Sequence, residues 1–261
     1  MPRLFVFLPA YNEEACLPPL MEAFAELFAQ LPADRDPLLI VVDDGSKDRT
    51  AAVARETAER TGLAFDLVQH EVNRGLGGAI KTGLRRAAEL SATEDDVVVC
   101  MDADNTHPPR FIVPMEEALH EHHADIVIAS RYRQGSEQHG VPLNRQLMSY
   151  GARWLFTMFL NVPGVRDYTC GYRAYRIGIV KKSLEHYGDD IITRAGFACT
   201  DQLLVNMVCL GAKCHEVPFI LRYDQKEGES KLALGTTIKE TLALLWAGNR
   251  RLAEARKAGQ R

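Results

Sequence analysis

Short runs of apolar, β-branched residues alternate along this chain with longer stretches in which apolar residues recur every three or four positions. LFVFL (4–8), LLIVVDD (38–44), VVVCMDAD (97–104) and DIVIASR (125–131) each end in polar residues, the pattern of strands buried on both faces. Between the first two, Leu17, Leu20, Phe24, Leu27 and Leu31 fall at helical spacing. After the second, SKDRTAAVARETAERTG opens on a capping-type Ser46 and stops at Gly62. A further helix is predicted from about Gly77 to Leu90. Strands separated by helices of this length predict βαβ units, hence a parallel sheet covered on both faces.

Ligands of such sheets collect at the carboxyl ends of the strands. AYNEE, DDGS, DAD and SRY all fall there, so four polar clusters converge on one edge. From about residue 132 the pattern changes. A polar loop, RQGSEQHGVPLN, leads into RQLMSYGARWLFTMFLNV (145–162), an apolar-rich predicted helix carrying Arg145, Arg153 and Trp154. A strand-like VRDYTCGYRAYR, a helix around 198–210, a strand in EVPFILRY and the loop DQKEGESKL follow. With no internal repeat and no low-complexity linker, one body is expected over 1–235. It would have a nucleotide-binding half (1–131) and an acceptor half (132–235).

Composition narrows the class. The 261 residues are 46% hydrophobic and 25% charged, a globular mix rather than a disordered or coiled-coil one. Lys and Arg number 31 against 35 Asp and Glu, a net charge of −4, which gives no basic field for nucleic acid. Six cysteines without a CxxC pair, several in apolar runs, read as reduced and buried rather than as a zinc site or disulfide scaffold. MPRLFVFLPAYNEE passes straight from a short apolar run into polar sequence, so it reads as a first strand rather than a signal peptide. No apolar run approaches the roughly 18 residues of a membrane span. The expected location is cytoplasmic, peripheral on the inner face of the membrane.

Several residues carry candidate chemistry. Asp102 and Asp104, at i and i+2 on a strand, would point to one side and jointly hold a hard cation that neutralises a diphosphate. Asp43 and Asp44 end a strand where a carboxylate can accept from a base or a ribose hydroxyl, and they also suit a turn. In NRGLGGAIKTGLRRA, Gly83 is followed by Leu84 and Arg85, which excludes a P-loop, and Ile80 breaks a GxGxxG fingerprint. Gly75, Gly77 and Gly78 would instead let a loop approach ligand, with Arg74 and Lys81 near phosphate or sugar. Arg131, Arg145, Arg153 and Arg173 sit among apolar and aromatic residues, a setting that suits phosphate recognition. The histidines of HEHH (120–123) do not share one face, whereas His107 lies beside the DAD. No Ser/His/Asp or Cys/His nucleophilic set is evident.

Taken together and in order, LPAYNEE, VVDDGSKDRT, NRGLGGAIKTGL, MDADNTHPP, ASRY, NRQLMSYGA, CGYRAYR and GESKL resemble family-2 glycosyltransferases. More closely, they resemble the dolichol-phosphate mannosyltransferase group and its bacterial polyprenyl-phosphate glycosyltransferase relatives. The resemblance covers about residues 3–235. It implies an α/β GT-A fold, a Rossmann-like, mostly parallel sheet flanked by helices. A nucleotide-diphospho-sugar would bind with Mg²⁺ or Mn²⁺ at Asp102 and Asp104, and Pro9, Tyr11, Glu13 and Asp44 would line the nucleotide site. Arg131, Arg145 and Ser149 would meet donor sugar or acceptor phosphate, in an inverting transfer of a hexose from a GDP- or UDP-sugar to a polyprenyl phosphate. Asp201, in FACTDQLL, falls where relatives place an acidic residue near the acceptor and is a candidate base.

Two positions depart from the pattern. Relatives often carry Gln two residues after the second DxD aspartate, where this chain has Thr106, a possible hydroxyl ligand. They also tend to carry Arg where it has Gln225, with Lys226 or Arg222 nearby. The tail (236–261) reads as an amphipathic helix with a basic end that could lie on an anionic membrane, and 145–162 could do likewise. The alternative for both is packing within the protein, in a homo-oligomer or against a membrane-protein partner. Two other functions remain open at this point: the same donor with a soluble or glycan acceptor, or nucleotide-sugar binding without catalysis.

Overall fold

The computed structural model describes residues 2–194, 196, 198–225, 245, 248–255 and 257. Seven strands form one sheet in the order β3-β2-β1-β4-β7-β5-β8. The strands are β1 (Arg3–Ala10), β2 (Asp36–Asp43), β3 (Phe65–Gln69), β4 (Val97–Cys100), β5 (Ile126–Ser130), β7 (Arg173–Arg176) and β8 (Cys214–Pro218). The short β6 (Glu137–His139) and β9 (Ile220–Arg222) pair separately. The helices are α1 (Leu17–Gln30), α2 (Thr50–Thr61), α3 (Gly75–Leu90), α4 (Ile112–Glu121), α5 (Leu143–Leu160), α6 (Ile177–Tyr187) and α7 (Ala198–Cys209).

The four predicted strands form, and Leu4 through Leu8 are all fully buried, as continuous apolar runs require. Helix α1 buries Leu17, Leu20, Met21 and Phe24, each side chain stabilising the fold by roughly 1.5–3 kcal/mol. Gly62 ends α2 in the left-handed region at φ 68°, as expected of a C-terminal glycine. Helix α3 lies so close to β1 that a Cβ on Gly83 would collide with the Phe7 ring.

One strand breaks the parallel pattern. β7 runs antiparallel between β4 and β5, with Val97 opposite Arg176 and Ile126 opposite Tyr175. RAYR lacks an apolar run because its arginines satisfy distant carbonyls. Arg176 donates to Ala124 and Leu119 at 2.9 and 2.7 Å, capping the end of α4, and Arg173 donates to Thr200 and Tyr168. Arg173 is therefore a fully buried structural residue, not the phosphate ligand its aromatic neighbours suggested.

The chain steps outward from β1 to β2 to β3, then returns to the other side of β1 as β4. The strand order thus reverses between β1 and β4, opening a crevice at their carboxyl ends. Ala10 pairs with Asp43 and Phe7 with Cys100, so the segments that follow all three strands emerge at that crevice.

The GESKL motif and Lys226 lie outside the described residues, as does much of the tail. Residues 248–255 are helical, and their apolar side meets the protein rather than facing away. Leu245 and Leu252 are buried, a Cβ on Gly248 would touch Leu160 and Val205, and Arg251 donates to Asn206 at 2.7 Å.

Candidate active site

The first wall of the crevice joins two loops. Asn12, left-handed at φ 54°, donates its amide to the Ser46 hydroxyl and accepts from the Lys47 amide, both at 2.9 Å. The Glu13 amide donates to the Thr50 hydroxyl at 2.8 Å, and Glu14 accepts from the Arg49 amide. Ser46 therefore ties loops together instead of capping α2, whose N-terminus lies at Arg49. Burial pushes the Asp48 carboxyl up, but hydrogen bonds from Thr50 and Glu14 outweigh it and hold it below the usual value. Pro9, Tyr11 and Glu13 are half-buried along this wall.

Asp43 and Asp44 are both buried and both bonded within the protein. Asp43 accepts from the Ser46 amide and Gln69. Asp44 Oδ1 lies 2.7 Å from His70 Nδ1 and accepts the Arg74 amide at 2.8 Å, while His70 Nε2 lies 2.9 Å from the Thr82 hydroxyl. Asp44 is thus a structural junction between β2, β3 and α3 as well as a candidate ligand group. His70 was invisible in sequence, a lone histidine closing a five-residue strand that no apolar run announced.

The glycines of NRGLGG approach protein. A Cβ on Gly77 would crowd Ile192, Arg194 and Cys199, so Gly77 lets α3 pack against the start of α7. Arg74 is exposed. Lys81 donates to the Asp189 carbonyl at 3.3 Å, beside an Arg85–Asp189 ion pair, on the wall of a cavity of about 540 Å³.

Asp102 and Asp104 follow β4 in a turn rather than on the strand, with Asn105 left-handed at φ 63°. The Asp104 side chain accepts from the Thr106 amide and hydroxyl at 3.2 and 2.6 Å. Thr106, expected as a metal ligand, is buried and orients Asp104. The Asp102 side chain is 37% exposed, and its amide donates to Nδ1 of buried His107 at 3.3 Å. His107 stacks on Tyr172, with ring centroids 5.1 Å apart. Opposite, a Cβ on Gly171 would lie 3.6 Å from Asp102 Oδ1 and 3.9 Å from the Thr200 methyl, which brings the start of α7 alongside.

A divalent cation fits this donor set. The two carboxylates supply hard oxygen ligands, and no third His, Cys, Asp or Glu completes a cage among the described residues. Such a cation would keep positions for water and phosphate oxygens, the usual arrangement for Mg²⁺.

Asp201, next to Thr200, is buried, and its Oδ1 has no hydrogen-bond partner among the described residues. Burial pushes its carboxyl up to about 7, with Arg173 pulling back and Asp167 adding to the rise. A carboxyl poised there can hold or accept a proton near neutral pH.

The second wall is built of arginines and aromatic rings. Arg131, a candidate for donor sugar or acceptor phosphate, is clamped along one edge of its guanidinium. Its amide and Nε donate to Asp167 Oδ2 at 3.0 and 2.8 Å, and Nη2 donates to Asp167 Oδ1 and the Thr169 hydroxyl, both at 2.6 Å. Burial works against the guanidinium charge, yet Asp167 outweighs it and raises the pKa. Arg145 donates to the Tyr223 hydroxyl at 2.8 Å, Ser149 Oγ lies 2.6 Å from the Tyr132 hydroxyl, and Arg153 lies over the Tyr132 ring. Helix α5 leaves Leu143, Leu147, Trp154 and Met158 exposed at 77, 72, 65 and 52%.

The sequence matches the glycosyl transferase family 2 profile over residues 5–184. It is 31% identical over 261 residues to polyprenol monophosphomannose synthase of Mycolicibacterium smegmatis, spanning 97% of this chain and 90% of that protein. It is 27% identical over 249 residues to a UDP-N-acetylglucosamine–dolichyl-phosphate N-acetylglucosaminyltransferase of Methanococcus voltae, spanning 90% of each. Among solved structures it resembles glucosyl-3-phosphoglycerate synthase from Mycobacterium tuberculosis, crystallised with Mg²⁺ and uridine diphosphate. The TM-score is 0.66 at 22% identity, covering 95% of this chain and 79% of that one, a likeness of fold.

Proposed function

The chain belongs to glycosyl transferase family 2, and from that premise we propose that it moves a hexose from a GDP- or UDP-sugar to a polyprenyl phosphate at a membrane surface. The observation that supports the reading is the Asp102–Asp104 turn at the strand-order reversal, with the start of α7 beside Asp102 and the exposed apolar side of α5 in the same chain. The names of both relatives support a lipid-phosphate acceptor, and they differ in sugar.

Pro9, Tyr11, Glu13 and Asp44 line the nucleotide wall, with Arg74 and Lys81 along its rim. Asp102 and Asp104 would hold Mg²⁺ or Mn²⁺, which would neutralise charge on the leaving diphosphate. Arg131 and Arg145 orient the acceptor phosphate beside the anomeric carbon, with Ser149 alongside. An oxygen of that phosphate forms the new bond as the anomeric carbon–diphosphate bond breaks on the opposite face, so the sugar inverts. A phosphate is ionised near neutral pH, so positioning and electrostatics supply most of the rate. Asp201 takes up whatever proton a monoanionic phosphate still carries.

Helix α5 lies on the membrane with Leu143, Leu147, Trp154 and Met158 inserted, so the protein is peripheral, and the face it occupies is the cytoplasmic one in this reading. The test is transfer of radiolabelled sugar from GDP-mannose, UDP-glucose and UDP-N-acetylglucosamine, with and without Mn²⁺, to polyprenyl phosphate in vesicles. Metal-dependent labelling of the lipid with one donor is the expected result. Labelling only of water-soluble acceptors would overturn it.

A further inference from the structure

We propose that Asp167 is a positioning residue that holds Arg131 as a fixed cation at the end of β5, and that Glu216 on β8 fixes Asp167 in turn. The proposal rests on the role given to Arg131 above. Asp167 is fully buried and takes three hydrogen bonds from one residue, the Arg131 amide, Nε and Nη2, while Thr169 takes a fourth from Nη2. The fork therefore grips one edge of the guanidinium, and Nη1 has no hydrogen-bond partner among the described residues.

The carboxylate is itself anchored. Glu216, also buried, accepts the amides of Arg166 and Asp167 at Oε1, both at 2.6 Å, and its Oε2 lies 3.0 Å from Arg133 Nε. Arg131 and Arg133 leave β5, Glu216 sits on the neighbouring strand, and Asp167 belongs to the loop that leads into β7. Three segments far apart in sequence thus fix one guanidinium. A buried ion pair is a poor way to gain stability, because packed apolar residues of the same volume often do as well. What this pair supplies is a single orientation. A lysine could not reproduce it, since it lacks the planar fork.

The test is a double-mutant cycle on the full chain with Arg131→Lys, Asp167→Asn and the pair, reading kcat and acceptor KM per folded molecule alongside Tm. Thr169→Val is the milder variant should Asp167→Asn fail to fold. Arg131→Lys is expected to lower kcat about tenfold or more, and Asp167→Asn to do nearly the same. The double variant should be no worse than either one, because Asp167 acts through Arg131. Thr169→Val should lower kcat a few-fold with Tm nearly unchanged.

In ¹⁵N spectra the Arg131 Nε–H signal of the wild type should be slow to exchange, and Asp167→Asn or Thr169→Val should lose that protection. Losses in kcat that multiply in the double variant would overturn the positioning role. So would wild-type kcat in Asp167→Asn, or in Thr169→Val where that variant stands in, while Arg131→Lys is impaired; that outcome leaves the proposed reaction standing. Wild-type kcat in Arg131→Lys itself would instead remove Arg131 from the reaction.

Discussion

The two walls of the crevice are held by different physics. On the β1–β2 side, loops are joined by short bonds between backbone amides and small polar side chains, as at Asn12–Ser46 and Glu13–Thr50. On the β5–α7 side, buried charges hold the shape: Arg131 with Asp167, the amides of Arg166 and Asp167 on Glu216, and Arg173 beside Asp201. The first wall is tied largely through backbone amides and small polar groups, which suit a neutral base and ribose. The second stores orientation in ion pairs screened from water, where a fixed charge acts most strongly on another charge.

The contrast breaks most sharply at the carboxylates between the walls. Asp104→Ala is expected to lower turnover about a hundredfold or more with the fold intact, because the charge on the diphosphate goes unmet. Turnover assays paired with circular dichroism check this, and near-normal turnover would remove Asp104 from the reaction. Next in size is the outer side of α5. Leu147→Glu with Trp154→Glu should reduce partitioning onto anionic vesicles about thirtyfold, each lost insertion costing about 1 kcal/mol. Flotation measures it, and hydrolysis of a soluble donor should be unaffected.

A smaller effect is expected at His107. His107→Phe keeps the stack on Tyr172 but removes the acceptor of the Asp102 amide. Mn²⁺ affinity, read by electron paramagnetic resonance with nucleotide present, should fall about tenfold, as for other groups that orient metal ligands. His107→Asn, which offers an acceptor at a similar place, should recover part of it.

The smallest effect is one of slope. Asp201 keeps its proton in the folded state up to about 7, whereas the unfolded chain loses it near the usual aspartate value of about 4. Its contribution to stability is complete below that lower value and declines as pH rises through about 7, because across that window the unfolded state binds fewer protons. Asp201→Asn should remove this decline, so Tm against pH should run flatter above pH 5 than in the wild type. If Asp201 accepts the acceptor's proton, the acid limb of the kcat profile near 7 should vanish too.

The same division separates what was legible in the sequence from what was not. Strands β1, β2, β4 and β5 announce themselves through apolar runs, and the DAD and DDGS segments lie at their ends, so the first wall follows from local pattern. β7 and Asp167 do not. RAYR is half arginine, and only the fold reveals that those guanidiniums end on carbonyls of α4 and α7. Asp167 lies 36 residues from the arginine it grips, and no spacing rule links them. For the same reason the arginines could be picked out as important while their partners could not, which is how a buried Arg173 came to be read as a phosphate ligand. Thr106 shows another limit: its closeness to Asp104 follows from the sequence, whereas the direction of its hydroxyl, onto the Asp104 carboxylate, depends on the turn.

The antiparallel strand between β4 and β5 also sets an order of assembly. The first four strands lie within the first 100 residues and are contiguous in the sheet, as β3-β2-β1-β4, so they are synthesised before every strand of the other side. β5 then has no neighbour until residues 173–176 arrive to bridge it to β4, and β8 follows later still. Because β5, β7 and β8 are synthesised after β1–β4, a chain caught midway has the strands of the first wall without those of its counterpart. Pairing of β7 with both β4 and β5 is therefore the step that joins the two halves of the sheet.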